Sequence, residues 1–323
     1  MILLHAANTQ VSRYNKDKPF DHSLTRSLMG GLALLPRKWQ SRLSDLFLER
    51  KMRSDFGDLD ENWRLLPAPS DTNSQAVFNE RIVPLLRSGE VKMVHRIKRF
   101  DAGNWVELQD GSRVEVDDII FATGYRFCFD ILSQEADPTA TTSAEWDAHP
   151  NSNNVPYPRL YQTLFPPGHA DTLAFVGPCM GYTFAAFKHA DLASQAVAQV
   201  WSGHYQLPSR VEMEAWCDES YASAMKIMEQ HRISKPPTDG PALEVWLNRA
   251  AGNGVEEHLG WSWRAWSFWF QDHELYRLIM RGVDTPYVGQ LFAGRAGSRT
   301  RWSGARDAIL RANGHDVRGK PVN

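Results

Sequence analysis

The sequence has few cysteines, no block of like charges and no long apolar run. Its three cysteines, Cys128, Cys179 and Cys217, form no Cys-x-x-Cys pair and no disulfide framework, which favours a reducing compartment. The formal net charge of -2 argues against a nucleic-acid partner, which needs a basic face. The amino terminus lacks the basic flank of a signal peptide, and no segment approaches the length of a membrane span. We therefore expect a cytoplasmic protein that has no membrane span and no nucleic-acid partner.

Metal and hydrolase motifs are also missing. The sequence has no His-Glu-x-x-His run and no paired Cys/His spacing, so we expect no metal site. It has no Gly-x-Ser-x-Gly elbow, so hydrolase chemistry has no support. Cys128 and Cys179 each lie beside a predicted apolar strand end, where an inert buried thiol is a better expectation than a redox thiol.

The chain has the composition of an ordinary globular protein. Its 323 residues suit two modest domains or one large one, and 42% of them are apolar. Twelve tryptophans are many for this length, and they indicate a large apolar core or a pocket for flat apolar ligands.

Several short runs predict strands. Ile2–Leu4 is apolar, and Asp110-Gly111 between two alternating runs is a hairpin signal. Ile119–Ala122 is apolar on both faces, as in a strand covered on both sides of a sheet, and Leu173–Val176 is similar. The polar segment Ser133–Pro156 has no periodic run and is predicted to be a loop.

Helical periodicity and end signals predict the helices. Pro36 suits a first helical position, and Ser209 with Glu212 forms a capping box. We predict helices over Pro36–Met52, within the run "NERIVPLLRSG" that ends at Gly89, over Phe184–Trp201, from Ser209 onward, and within "SGARDAILRANG", which Asn313-Gly314 closes. Strands and helices together predict an α/β fold.

The run "DDIIFATGYRF" (Asp117–Phe127) ends a predicted strand on small residues. Ligands of open α/β sheets lie beyond the carboxyl ends of strands, and a glycine there permits close approach of a backbone or a ligand. Thr123 supplies a hydroxyl beside Gly124. The pattern is typical of a nucleotide site and also of an ordinary turn after a buried strand.

A wider set of motifs resembles the flavin-containing monooxygenase family. In that family a hairpin with Asp-Gly leads into a strand that ends Phe-Ala-Thr-Gly-Tyr, as in "WVELQDGSRVEVDDIIFATGYRF". Four further segments match the family in its order: "RIVPLLRSGEVKM", "LYQTLFPPGHADTLAFVG", "WSGHYQLPS" and "RWSGARDAIL". The resemblance covers nearly the whole chain.

The resemblance implies a flavoprotein with two dinucleotide-binding, Rossmann-like domains, one for FAD and one for NADPH. Residues 1–116 would be the remainder of the NADPH-binding domain, and residues 117–323 the C-terminal part of the FAD-binding domain. The implied cofactor-binding residues are Thr123, Gly124, Tyr125, Gly177 and Thr183. The implied reaction uses FAD, NADPH and O2 to oxygenate nitrogen or sulfur, or to insert oxygen beside a ketone, in a small-molecule substrate. No catalytic residue is assigned.

The family's glycine motifs are absent from this sequence. No Gly-x-Gly-x-x-Gly turn occurs, and the family's Phe-x-Gly-x-x-x-His signature is missing. Pyrophosphate is held at such turns, so we expect an incomplete fold that lacks the N-terminal glycine-rich βαβ units and anchors neither cofactor firmly. Two hypotheses remain: the C-terminal part of an enzyme, or a non-catalytic remnant or subunit that docks on a chain carrying the nucleotide motifs.

Two further groups of residues have alternative interpretations. His189 and Asp191 are two positions apart on a predicted helix, so they point to different faces and are expected to be exposed or interface residues. Trp261, Trp263, Trp266 and Trp269 line an apolar substrate channel or form an aromatic core, and the core is the better expectation.

Overall fold

The computed structural model describes residues 2–4, 9–15, 18–68, 70, 76–122, 129–140, 143–177, 186–230, 233, 236–295 and 297–316. The chain forms two compact units. The first contains residues 1–17 and 36–126, and the second contains residues 18–35 and 127–323. The division of the two cofactor domains at residue 117 stays a prediction.

Strands and helices are mixed along the chain. The strands are β1 (Ile2–Leu4), β2 (Gln10–Val11), β3 (Tyr14–Asn15), β4 (Lys18–Pro19), β5 (Val77–Phe78), β6 (Val91–Met93), β7 (Ile97–Phe100), β8 (Trp105–Leu108) and β9 (Arg113–Glu115). The helices are α1 (Arg26–Ala33), α2 (Arg37–Phe56), α3 (Ile82–Ser88), α4 (Ala144–Ala148), α5 (Ala186–Trp201), α6 (Arg210–Met228), α7 (Gly240–Ala251), α8 (Val255–Leu259), α9 (Trp263–Gln271), α10 (His273–Arg281), α11 (Tyr287–Phe292) and α12 (Ala305–Ala312). Short 3-10 helices span Phe20–Ser23 and Glu61–Trp63.

The first unit contains parallel and antiparallel strand pairs. β1 pairs in parallel with β6, and β2 pairs in parallel with β5. Strands β7, β8 and β9 form an antiparallel sheet. The turn between β8 and β9 is the predicted Asp110-Gly111 hairpin: Gly111 has a φ of +83°, and the Asp110 carboxylate accepts a 3.0 Å hydrogen bond from the Ser112 N–H. A positive φ at this turn explains the glycine.

The second unit is largely helical. Helices α5 and α7 pack side by side, with Ala193 and Ala196 facing a core that includes Leu247. Alanines on α5 allow close approach of the two helices. A separate apolar cluster, which includes Val255 and Ile309, joins α8, α10, α11 and α12. None of the described helices combines the length and the apolar character that a membrane-crossing helix needs.

Most predicted helices and the first strand are confirmed. The Ser209 hydroxyl accepts from the Glu212 N–H while the Glu212 carboxylate accepts from the Ser209 N–H, so the capping box is formed at the start of α6. Helix α3 ends at Gly89, which has a φ of +76°, and α12 is followed by Gly314, with a φ of +72°. Pro36 lies at the N-cap of α2 and therefore one residue before the predicted position.

Two predicted strands are wrong. Neither Ile119–Ala122 nor Leu173–Val176 is a strand, and Ile120 and Phe121 are 90% and 67% exposed. An apolar run indicates a tendency to be buried, whereas a strand also needs a neighbouring backbone with which to pair. The segment at Leu173–Val176 is held mainly by the buried Phe175, whose N–H donates to the Leu164 carbonyl at 2.8 Å.

The predicted loop at Ser133–Pro156 contains the short helix α4. Ser143 caps this helix by accepting from the Trp146 N–H, and the Trp146 indole is fully buried and donates to the Val155 carbonyl at 2.7 Å. One large buried side chain and one cap suffice for a single helical turn, which carries too few residues to show a period in the sequence.

Candidate functional site

The cofactor-binding residues implied by the sequence lie mostly outside the described residues. This holds for Thr123, Gly124, Tyr125 and Thr183. Gly177 is described: it is exposed and has a φ of +104°. No heavy atom of the described residues lies within 4 Å of where a β-carbon would stand, so the backbone conformation alone requires glycine. Its role in cofactor binding stays a prediction.

The described flanks of the two implied segments meet in the second unit. Phe129, which follows the Thr-Gly-Tyr segment, packs edge-to-face on Phe175, with ring centroids 5.1 Å apart. Leu160, Leu132 and Leu173 complete this apolar cluster. The packing brings the chain that follows residue 128 close to the chain that enters Gly177.

A buried cluster of charged side chains joins α1, α5 and α7. Lys188, only 8% exposed, donates to the Glu244 carboxylate at 2.7 Å and to the Asp284 carboxylate at 2.5 Å. The Arg26 guanidinium lies 3.5 Å from each of these carboxylates. His189 Nε2 lies 3.6 Å from the second oxygen of Glu244. Two cations and an imidazole thus surround two carboxylates.

The surroundings of Glu244 keep it ionised. Burial raises its pKa, but the His189 imidazole and the charges of Lys188 and Arg26 outweigh burial and hold the pKa well below the ordinary value of 4.5. The adjoining cavity, of about 10 Å³, is lined by Arg26, Lys188 and Thr285. Small-molecule sites measure roughly 300–1,000 Å³, so this cavity is too small to hold a cofactor, and the cluster is a structural connection between helices.

His189 and Asp191 have different partners on α5. His189 is buried where α5 meets α7, with its side chain against Glu244, so of the two expected alternatives it is an interface residue and not an exposed one. Asp191 is half-buried and accepts two hydrogen bonds from Arg299, at 2.8 and 3.2 Å. The prediction that they lie on different faces is confirmed, and neither forms an acid–base pair with the other.

An open groove of about 810 Å³ lies between α8, α9, α11 and the start of α12. Aromatic rings and arginines line much of it, together with polar groups of α9. Its aromatic and basic side chains include Trp263, Phe292, Trp302, His258, Arg264 and Arg301. The volume lies within the range of small-molecule sites.

Side-chain caps position the helices around this groove. The Ser262 hydroxyl accepts from the Ala265 N–H at 3.2 Å and starts α9. The Asp272 carboxylate accepts from the Leu275 N–H at 3.1 Å and starts α10. The other Asp272 oxygen accepts from Arg306 Nε at 3.1 Å, which ties α12 to the junction of α9 and α10. The groove walls therefore follow from local caps and one ion pair.

His258 forms one wall of the groove with a defined tautomer. Its ring stacks on Phe292 with centroids 4.5 Å apart and planes 7° apart. Nδ1 lies 2.7 Å from the Gly254 carbonyl oxygen. A carbonyl only accepts hydrogen bonds, so Nδ1 carries a proton and donates it to the Gly254 carbonyl.

The cationic side chains of the groove outnumber the anionic ones. Arg306 pairs with Asp272. Arg264 lies over the Trp263 ring at 5.8 Å, and neither Arg264 nor Arg301 has a carboxylate partner among the described residues. The groove therefore combines aromatic faces with unpaired positive charge.

The tryptophan-rich segment is not a core. Trp261, Trp263 and Trp266 are 97%, 75% and 52% exposed, so the expectation of an aromatic core is wrong for these three. Trp269 is half-buried and contacts Trp266. Helix α9 turns its buried side, with Ala265, towards the protein, which leaves most of its indoles on the outer side.

His258 and Arg301 line the groove, and no sequence motif predicted this role for them. A signal was present, because arginine stands beside tryptophan at Trp263-Arg264 and again at Arg301-Trp302. The same two residue types are adjacent in α9 and again in the segment that precedes α12, and this repetition predicts an aromatic, cationic surface.

Thiols and metal ligands offer little alternative chemistry in the described part of the chain. Cys217 is buried, and burial raises its pKa to about 11, so the thiol is not a nucleophile at neutral pH. Cys128 and Cys179 lie outside the described residues. Among residues whose placement is described, no three His, Cys, Asp or Glu side chains are grouped so that they could hold a metal ion.

A family model described as Flavin-binding monooxygenase-like matches residues 11–322. The chain belongs to this family. It is 34% identical over 307 residues to Monooxygenase aurF of Gibberella zeae (strain ATCC MYA-4620 / CBS 123657 / FGSC 9075 / NRRL 31084 / PH-1), covering 94% of this chain and 57% of that protein. The resemblance found in the sequence motifs is thus confirmed at the level of the family.

Animal members of the family are also similar to this chain. Flavin-containing monooxygenase 3 of Rattus norvegicus is 27% identical over 271 residues, which are 83% of this chain and 45% of that protein. Putative dimethylaniline monooxygenase [N-oxide-forming] 6 of Homo sapiens is 30% identical over 275 residues, which are 84% and 46%. The chain spans about half the length of the curated relatives it matches.

Proposed function

We propose that this chain forms part of an FAD- and NADPH-dependent monooxygenase that oxygenates nitrogen or sulfur, or inserts oxygen beside a ketone, in a small organic substrate. The observation that carries the proposal is the family match over residues 11–322. The name of the human relative, a putative N-oxide-forming dimethylaniline monooxygenase, supports a soft nitrogen as one target. The bound flavin would supply the redox chemistry, while the protein orients it and excludes water.

The proposed flavin contacts belong to two chain segments whose described flanks pack together. Thr123, Gly124 and Tyr125 would lie beside one face of the cofactor, with Gly177 and Thr183 on the adjoining segment. The Phe129–Phe175 contact supports this arrangement, because it holds the flanks of the two segments together. The exposed backbone and positive φ of Gly177 fit the close approach of a cofactor.

The pyrophosphates of both cofactors need glycine-rich turns that this sequence does not contain. We propose that residues 1–116 and 117–323 are the remaining parts of an NADPH-binding and an FAD-binding Rossmann-like domain. Other residues, on the same polypeptide or on another, would then supply the turns. The chain by itself would bind FAD weakly.

The test is a flavin titration in two arms. The 323-residue chain alone is mixed with FAD and desalted, and its visible absorbance is expected to show far less than one flavin per chain. The second arm adds a segment that carries two Gly-x-Gly-x-x-Gly turns, in cis or as a separate chain, and is expected to give stoichiometric flavin. NADPH oxidation is then followed with dimethylaniline, a methyl sulfide and a cyclic ketone.

A matched pair of variants tests the proposed site in the second arm. Gly124→Val should reduce flavin content, because a β-branched residue replaces one chosen for close approach. Gly30→Val is the control, since no described heavy atom lies within 4 Å of its β-carbon position on α1. Stoichiometric flavin on the chain alone would contradict the need for further turns. A flavin-loaded protein that oxidises no NADPH with any of the three substrates would contradict the proposed monooxygenase activity.

A further inference from the structure

We infer that the groove between α8, α9, α11 and α12 binds a planar aromatic carboxylate. This inference concerns ligand binding in the second unit and does not depend on the proposed redox activity. The ligand class follows from three properties of the groove: its shape with aromatic faces, its positive charge and the hydrogen bonding of His258.

The first argument is shape. The groove has a volume of about 810 Å³ and is open, which suits a flat molecule of two or three fused rings. Its walls already show how a flat ring is accommodated, because His258 and Phe292 stack at 4.5 Å with almost parallel planes. Trp263 and Trp302 present two further large aromatic surfaces, and Trp263 is 75% exposed. Aromatic ligands are bound well by such faces.

The second argument is charge. Asp272 lines the groove, and the ion pair with Arg306 neutralises it. Arg264 and Arg301 line the same groove and have no carboxylate partner among the described residues. A guanidinium binds a carboxylate through two parallel hydrogen bonds, a geometry that a neutral ligand cannot reproduce. Charge therefore distinguishes an aromatic acid from a neutral hydrocarbon.

The third argument is the hydrogen-bonding state of His258. Its Nδ1 proton is used by the Gly254 carbonyl, and Nε2 has no partner among the described residues. The imidazole adds no negative charge to the wall in either protonation state, so the two arginines set the sign of the charge. The groove thus favours a ligand with one acidic group and an extended apolar ring system.

The experiment measures binding of 2-naphthoate to the 323-residue chain by isothermal titration calorimetry, without flavin or NADPH. Its neutral isostere 2-naphthamide is titrated in parallel. We expect naphthoate to bind and naphthamide to bind at least fivefold more weakly. Size-exclusion chromatography at two protein concentrations and circular dichroism accompany each titration, so that folding and self-association are known.

Two pairs of variants locate the binding. Arg301→Gln should lower the affinity for naphthoate about tenfold, because one charge-assisted hydrogen-bonding interaction is lost. The affinities for naphthoate and naphthamide should then become similar. Arg281→Gln is its control, because Arg281 is an exposed arginine at the end of α10 that does not line the groove.

Trp263→Ala should weaken the binding of both ligands roughly threefold to tenfold. Trp261→Ala is its control, since it is 97% exposed, two residues away and outside the groove lining.

Four outcomes would overturn the inference. The first is that naphthoate does not bind at millimolar concentration, and the second is that naphthamide binds as tightly as naphthoate. The third is that Arg301→Gln and Trp263→Ala leave binding unchanged, which would place the binding site outside the groove. The fourth is that the protein forms a concentration-dependent dimer that naphthoate does not dissociate, which would show that a second copy of the chain covers the groove. None of these results bears on flavin titration, so failure here and failure of the proposed monooxygenase are separable.

Discussion

Replacement of Lys188 by methionine tests the buried charge cluster of the second unit. Methionine keeps much of the apolar stem and removes the ammonium that lies between Glu244 and Asp284, at 2.7 and 2.5 Å. The two carboxylates are then left with Arg26, which lies 3.5 Å from each. Removing one partner of a buried ion pair costs about 3–5 kcal/mol, because an uncompensated charge stays buried. For a unit of this size the expected fall in Tm is roughly 6–20 °C.

The assay is thermal unfolding followed by circular dichroism at several pH values. Because the pKa of Glu244 is lowered in the folded protein, the stability that it contributes is fully present above pH 4.5 and is lost as the pH falls below that value. Without Lys188 this pKa lies closer to its ordinary value. The difference in Tm between wild type and Lys188→Met should therefore be largest near neutral pH and should shrink in acid.

Lys226→Met is the matched control. Lys226 is an exposed lysine on α6, so the same chemical change should alter Tm by less than about 2 °C. Lys188 does not stabilise the two carboxylates if Lys188→Met melts within 2 °C of wild type at neutral pH, or if the Tm of the control falls by a similar amount. A difference in Tm that grows as the pH falls would show that Glu244 is not the group stabilised by Lys188.

Three further predictions follow from local geometry. Gly254→Ala should lower the free energy of unfolding by about 1–3 kcal/mol, measured in urea, because Gly254 has a φ of +77° and an alanine β-carbon there would lie 3.0 Å from the Phe292 carbonyl oxygen. An unchanged urea midpoint would show that the alanine is accommodated without strain. Ser209→Ala should cost about 1 kcal/mol of unfolding free energy through the lost capping box with Glu212, and Ser209→Asp should recover most of it. Cys217 should react with a maleimide far more slowly in the native protein than in urea, since its thiol is buried with a pKa of about 11; equal rates would place it at the surface.

Local features of the fold were predictable from the sequence because their causes lie within a few residues. The Ser209–Glu212 capping box acts over three residues, and the Asp110-Gly111 turn needs only a positive φ and one side-chain acceptor. Membership of the family was likewise readable, because its motifs occur in order along the chain. The two strands predicted at Ile119–Ala122 and Leu173–Val176 were wrong, since apolar composition does not specify a pairing partner.

The family, the hairpin and the end signals of helices α3, α6 and α12 could be read from the sequence alone, because each depends on residues that lie close together in the chain. Only the tertiary structure decided the partners of Lys188, which lie 56 and 96 residues away, because no periodicity links positions so distant. It also decided that Trp263 is exposed rather than buried. A helix has the same spacing of aromatic residues whether its aromatic face lies in a core or forms the wall of a groove. The two cases differ only in whether neighbouring helices cover that face, which the tertiary structure determines.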